Sequence, residues 1–239
     1  MIAQTAPVIP NFGGNPNSCV RRNGTFCWDW VSSHWGSTLR PALIDHIELT
    51  LIAVGIGFVI AIAAALLAYR FRWLETPLIG LWAFFYTIPS IALFQLLVPV
   101  TGITRLTAEV ALVSYTLLVL FRNTVTGLRE VPESVRESAR AMGFTPRQVF
   151  LRVELPLAAP AIFAGLRVAT VTVIGLATIA AYIIDQGLGK PIFDAIGTQF
   201  KTELLAASVL AAALALVADT VIVLIQRVVT PWTAARRAT

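Results

Sequence analysis

With 239 residues, only 13% of them charged, and a mean hydropathy of +0.78, the chain falls far below the roughly 25% charge of a soluble domain, which excludes an ordinary water-soluble enzyme and places it among membrane proteins. The formal net charge is +5, from sixteen arginines and two lysines. In a soluble protein this excess would suggest nucleic acid. In so apolar a chain it follows from the retention of cations on the cytoplasmic side of a membrane, and no nucleic-acid partner is expected.

The opening stretch, MIAQTAPVIPNFGGNPNS, has neither a basic n-region nor an apolar h-region, so no cleavable signal is expected there. Cys19 and Cys27 are the only cysteines, and both precede the first apolar run. A disulfide between them is expected if this segment faces an oxidising compartment; two free thiols are the alternative. Trp28, Trp30 and Trp35 follow, residues suited to the headgroup level of a bilayer. Residues 1–45 are read as an extracytoplasmic segment.

Five apolar runs follow, from about Ile47 to Tyr69, Leu78 to Val100, Ala108 to Phe121, Leu157 to Ile184 and Leu204 to Val229. A helix needs roughly 20 residues to cross the hydrocarbon core, and the short third run extends at both ends. The expected fold is all-α, with five transmembrane helices across residues 46–229 and a cytoplasmic tail at 230–239. In the second run Pro89 frees a backbone carbonyl at membrane depth, which must find a donor in a neighbour or in water. Ser90, Gln95, Tyr115 and Thr170 are candidate pathway residues, although such groups more often join helix to helix. Arg167 and Asp219 lie inside the fourth and fifth runs, where a charge demands a partner. Those spans are antiparallel and both residues count into the same half, so an intramembrane ion pair is expected. His34 and His46 stand alone and read as interfacial side chains.

Between the third and fourth runs, about 126–156, lies the most polar long stretch, which includes RESARAMGFTPRQVFLRVELP. Pro132 and Glu133 suit the start of a helix. Val135, Ala139 and Met142 form an apolar stripe. Gly143 reads as a helix stop, and Thr145-Pro146-Arg147-Gln148 as a capping box that starts a second helix. Pro156 is expected to interrupt the chain before the fourth span. If this loop is cytoplasmic, eleven cationic residues fall inside and six outside, with Arg167 within a span. That bias supports an N-out, C-in orientation. A phosphate-cradling G-x-x-x-x-G-K-S/T loop, an H-E-x-x-H pair and a Cys/His cluster are all absent from the sequence. No catalytic residue and no metal site is therefore expected.

Glu137-Ser138-Ala139, Gly143 and Val153-Glu154-Leu155-Pro156 together resemble the EAA…G…I-x-L-P loop of five-span, type I ABC importer permeases. Ser138 replaces the first alanine of that pattern and Val153 its isoleucine. The resemblance covers about Ile47 to Gln226. It implies that the first helix of the loop is a coupling helix seated in a groove of a cytoplasmic ATPase. Glu137, Ala139, Met142, Gly143 and Phe144 would be its contacts, with Leu155 and Pro156 completing the motif; for Gly143, contact and helix stop are equally open. It further implies two ATPase subunits that hold ATP and Mg, and a second permease chain, a paralogue or a copy. An extracytoplasmic substrate-binding protein, a bacterial inner-membrane location and no cofactor on this chain complete the expectation. Trp28, Trp30 and Trp35 then read as belt anchors or contacts for the binding protein. The segments IPSIALFQLLVPVTGI and VADTVIVLIQRVVTPW resemble those of permeases for quaternary-amine osmoprotectants (glycine betaine, carnitine, choline). Methionine- and phosphonate-type permeases are the alternative. A stand-alone channel or secondary transporter is the reading from another class, and the lack of an inverted repeat speaks against it.

Overall fold

The computed structural model describes residues 18–232; residues 1–17 and 233–239, with much of the N-terminal segment and most of the tail, lie outside it. Among the described residues every regular element is helical, the all-α fold expected. Helix α1 (Trp28–His34) passes through a wide π turn at Trp35–Leu39 into α2 (Arg40–Arg70). Pro41 lies just past this turn within a helical run of 43 residues, and the wide turn accommodates its missing N–H.

The second apolar run is not one straight span. It forms α3 (Glu75–Thr87) and α4 (Ser90–Thr101), bent by 98° at Ile88-Pro89. Pro89 cannot donate to the helical ladder and holds Ile88 extended. The hydroxyl of Tyr115 donates to the Ile88 carbonyl at 2.5 Å, which supplies the donor that the break requires.

Helix α5 (Arg105–Arg129) leads to α6 (Glu133–Ala141) and α7 (Pro146–Val149). A second π turn at Phe150–Glu154 joins α7 to α8 (Leu155–Ile184). Here the structure corrects the sequence reading of Pro156. It does not interrupt the chain, because Pro146–Ile184 runs as 39 helical residues. The wide turn just before Pro156 takes up the missing hydrogen bond and the ring clash. Helices α9 (Gly189–Thr198) and α10 (Lys201–Val229) complete the fold. Among the described residues, four helical runs are long and apolar enough to cross a membrane, and the bent α3–α4 pair makes five if counted as one span.

Helices α5 and α8 form the centre. Helix α2 packs on both, α3 and α4 lean on α5, and α10 lies against α8 and α9. The seams are built of small residues: Ala53 of α2, Ala108 and Ala111 of α5, Ala177 and Ala180 of α8. In lipid no hydrophobic drive brings helices together, so close backbone approach and dispersion carry the association. Helix α10 is buried near its start, at Thr202, Ala206, Ala207 and Ala211, while Val217, Val221 and Leu224 further along are exposed.

At one end of the bundle Cys19 and Cys27 are joined by a disulfide that closes a small cap. The cap is tied to the start of α10. Asn23 donates to the Gln199 carbonyl at 2.8 Å and accepts from the Lys201 N–H at 3.1 Å. It thereby satisfies one of the unpaired N–H groups that begin α10. Trp30 is buried edge-on to Phe200, with ring centroids 5.2 Å apart, so it anchors the cap rather than a lipid interface. Trp28 and Trp35 remain exposed.

His46 is likewise not interfacial. It is fully buried, accepts from the Leu188 N–H at 3.2 Å through Nδ1, and meets the Ile174 carbonyl at 3.1 Å through Nε2. The first contact fixes the second: Nδ1 accepts, so Nε2 carries the proton and donates. The imidazole pins the Gly187–Gly189 turn, the GLGK segment, onto α2 and α8. Only glycine fits at Gly189, because a Cβ there would overlap the carbonyl of Thr178. His46→Leu keeps the volume but orphans the buried Leu188 N–H, at a cost of roughly 1–3 kcal/mol, and removes the second donor from the Ile174 carbonyl. The purified protein is expected to melt several degrees lower in a detergent thermal-shift assay. An unchanged midpoint would mean that the turn is held by other contacts.

Candidate functional site

At the opposite end the polar loop between α5 and α8 folds as the sequence dictates. Helix α6 ends in a Schellman motif: Phe144 N–H donates to Ala139 O at 3.2 Å and Gly143 N–H to Arg140 O at 2.9 Å. Gly143 has a φ of +86° with no neighbour within 4 Å of where a Cβ would stand. Its conformation alone therefore accounts for the glycine. Thr145 and Gln148 form the reciprocal capping box, with Gln148 N–H donating to Thr145 Oγ1 at 3.4 Å and Thr145 N–H to Gln148 Oε1 at 2.8 Å.

The apolar stripe on α6 divides. Ala139 is 1% exposed and packs the helix onto its own chain, which leaves it no surface for a partner. Met142 is 69% and Val135 37% exposed. Glu137 and Gly143 are also exposed, whereas Phe144, Leu155 and Pro156 are half-buried. Of the stripe and motif residues, Val135, Glu137, Met142 and Gly143 are thus uncovered, together with Ser134, Ser138 and Ala141. An exposed methionine rimmed by charge is a common feature of protein-binding surfaces.

A polar cluster that the sequence does not announce lies under α6. Arg136 donates from Nε to Glu154 Oε1 at 3.0 Å and from Nη1 to Glu133 Oε2 at 2.9 Å. Its Nη2 reaches both the Leu128 carbonyl at 2.9 Å and the Tyr69 hydroxyl at 3.2 Å. Tyr69 in turn donates to Glu154 Oε2 at 3.0 Å. Burial opposes the Arg136 charge, but Glu133, Tyr69 and Glu154 hold its pKa above the ordinary value. The hydrogen bonds from Arg136 keep the exposed Glu133 carboxyl below its usual range. Nearby Arg129 of α5 pairs with Glu75 of α3. No spacing motif joins these residues; the only trace in the sequence is that Glu154 sits inside the V-E-L-P segment.

Within the spans, Arg167 and Asp219 meet in a two-pronged pair, Nε to Oδ1 at 2.7 Å and Nη2 to Oδ2 at 2.9 Å. The pair borders an open cleft of about 400 Å³ lined by Ala164, Val168, Val171 and Thr172. Its side chains are 39% and 32% exposed in the single chain. The four candidate pathway residues are not alike. Tyr115 is committed to the α3–α4 break, and Thr170 is buried with its hydroxyl on the Leu166 carbonyl at 2.8 Å. Ser90 begins α4 and Gln95 stands exposed further along it. Among the described residues no group of three or more His, Cys, Asp or Glu side chains is placed to hold a metal.

The structure is a helical membrane bundle with a short helix fastened at one end and Met142 uncovered at the close of that helix. The chain belongs to the family of binding-protein-dependent transport system inner membrane components, which matches residues 56–235. It is 39% identical over 198 residues to the osmoprotectant import permease protein OsmW of Salmonella typhimurium, covering 81% of this chain and 92% of that one. It is 36% identical over 196 residues to the choline transport system permease protein OpuBB of Bacillus subtilis, covering 82% and 90%. A chain of the MetNI methionine ABC transporter in an inward-facing conformation aligns with a TM-score of 0.68 at 24% identity, over 83% of this chain and 98% of that chain. This last is a likeness of fold.

Proposed function

We propose that this chain is the permease subunit of an ATP-driven importer for a quaternary-amine osmoprotectant such as glycine betaine, choline or carnitine. It lies N-out, C-in in the inner membrane. It forms half of the pathway with a second permease chain, a paralogue or a copy of itself. Two cytoplasmic ATPase subunits, which hold ATP and Mg, seat α6, and an extracytoplasmic binding protein delivers the solute. The observation that carries this reading is the exposed side of α6, with Met142 uncovered at the end of a helix otherwise fastened to the spans. The substrate class is supported by the names of the two relatives, whose matches extend over most of both chains. The disulfide-closed cap with exposed Trp28 and Trp35, at the end opposite α6, suits a surface for the binding protein.

The test is affinity purification of the tagged chain from its native membrane. An ATPase and a binding protein are expected to come with it. The recovered binding protein is expected to take glycine betaine, choline or carnitine in preference to methionine in a titration. Methionine alone bound, or a chain recovered without an ATPase, would contradict the proposal.

A further inference from the structure

Helix α6 is too short to be stable by itself, with nine residues and only Ala139 buried. Apolar packing through Ala139 alone is therefore only a small part of what holds it to the spans. The Arg136 cluster supplies the polar part. One guanidinium, carried on α6, bonds to Tyr69 at the end of α2, to the Leu128 carbonyl near the end of α5, and to Glu154 at the turn that leads into α8. The side chains of Arg136 and Glu154 are only 13% and 8% exposed, so these bonds are shielded from water. Among side chains, arginine alone supplies five donors in a planar fork.

We infer that Arg136 is the positioning residue that makes α6 move as one body with the inner ends of α2, α5 and α8. The inference rests on the coupling reading above and specifies how it works. A displacement imposed on the outward face of α6 passes through Arg136 and Glu154 into α8, and through Tyr69 into α2. Without the guanidinium, the Gly143 corner and the chain between α5 and α6 would flex and absorb the push.

Two measurements test it. In the first, the permease is reconstituted with its ATPase and binding protein, and solute moved per ATP hydrolysed is counted. Arg136→Lys keeps the charge but cannot reach three helices at once, and the ratio is expected to fall about tenfold, within the usual span of coupling energies. Tyr69→Phe removes one hydroxyl and is expected to shift the ratio in the same direction by less. An unchanged ratio in both assembled variants would overturn the inference, because a purely structural defect lowers both activities together. A wild-type complex that moves no solute on ATP would overturn the importer reading instead.

The second measurement needs no ATPase. Spin labels at Ser134→Cys on α6 and Leu67→Cys on α2 report the distance between the two helices in the permease alone. The native cysteines are bonded to each other and do not take label. A narrow distribution that broadens in Arg136→Lys is expected. Equal widths in the two proteins would overturn the inference whatever the transport assay gives.

Discussion

Met142→Glu is expected to abolish ATP-driven uptake by detaching the ATPase while leaving the permease folded. The side chain makes little contact with its own chain, being 69% exposed, so nothing internal is lost. In the proposed groove the change places an unpaired carboxylate where a flexible apolar side chain fitted. A central apolar contact of this kind carries at least about 2 kcal/mol, roughly thirtyfold in affinity. Size-exclusion elution and melting of the isolated permease are expected to match the wild type, and the ATPase is expected to be missing from the purified complex. Ala139→Glu is the informative contrast. Ala139 is buried in its own chain, so that variant is expected to fail in folding. A Met142→Glu permease that still brings down its ATPase would place the contact elsewhere.

The second large effect lies in the membrane. Asp219→Leu strands the Arg167 guanidinium at a depth where a lone charge is costly, and the amount of folded protein in the membrane is expected to collapse. The double variant Arg167→Leu with Asp219→Leu removes both charges and is expected to restore it, because replacing a whole ion pair costs far less than breaking one. Fluorescence-detected size-exclusion chromatography of the solubilised membranes reads both outcomes. A double variant as depleted as the single would mean that the two residues do not act as a pair. The pair is about one-third exposed in the single chain, on the side of α8 and α10 where α10 is otherwise uncovered. A second permease chain lying there would remove it from lipid.

The sequence carried the large features because they follow from composition and local rules. Helical fold, apolar runs and the Gly143 and Thr145–Gln148 signals are written in hydropathy and in cap chemistry. The Arg167–Asp219 contact was reachable because antiparallel spans bring positions of equal depth together. What the sequence concealed depends on tertiary neighbours. His46 reads as a stray interfacial histidine until the Leu188 N–H and Ile174 carbonyl arrive on either side of it. Ala139 sits on the same apolar stripe as Met142, yet a small side chain on a stripe is equally fit for packing inward. Pro156 looked like a helix break because nothing in its neighbours signals a π turn. Arg136, Tyr69 and Glu154 come from three separate segments, and no spacing rule reaches across 85 residues.

The proposed function makes this chain a permease worked by ATP hydrolysis on another subunit. It is tested most directly by solute uptake into proteoliposomes that contain the chain with its ATPase, binding protein outside and ATP inside. Radiolabelled glycine betaine or choline is expected to accumulate against its gradient only when ATPase, ATP and binding protein are all present. Uptake by the purified chain alone, without ATP, would contradict the account and make the protein a channel or secondary transporter.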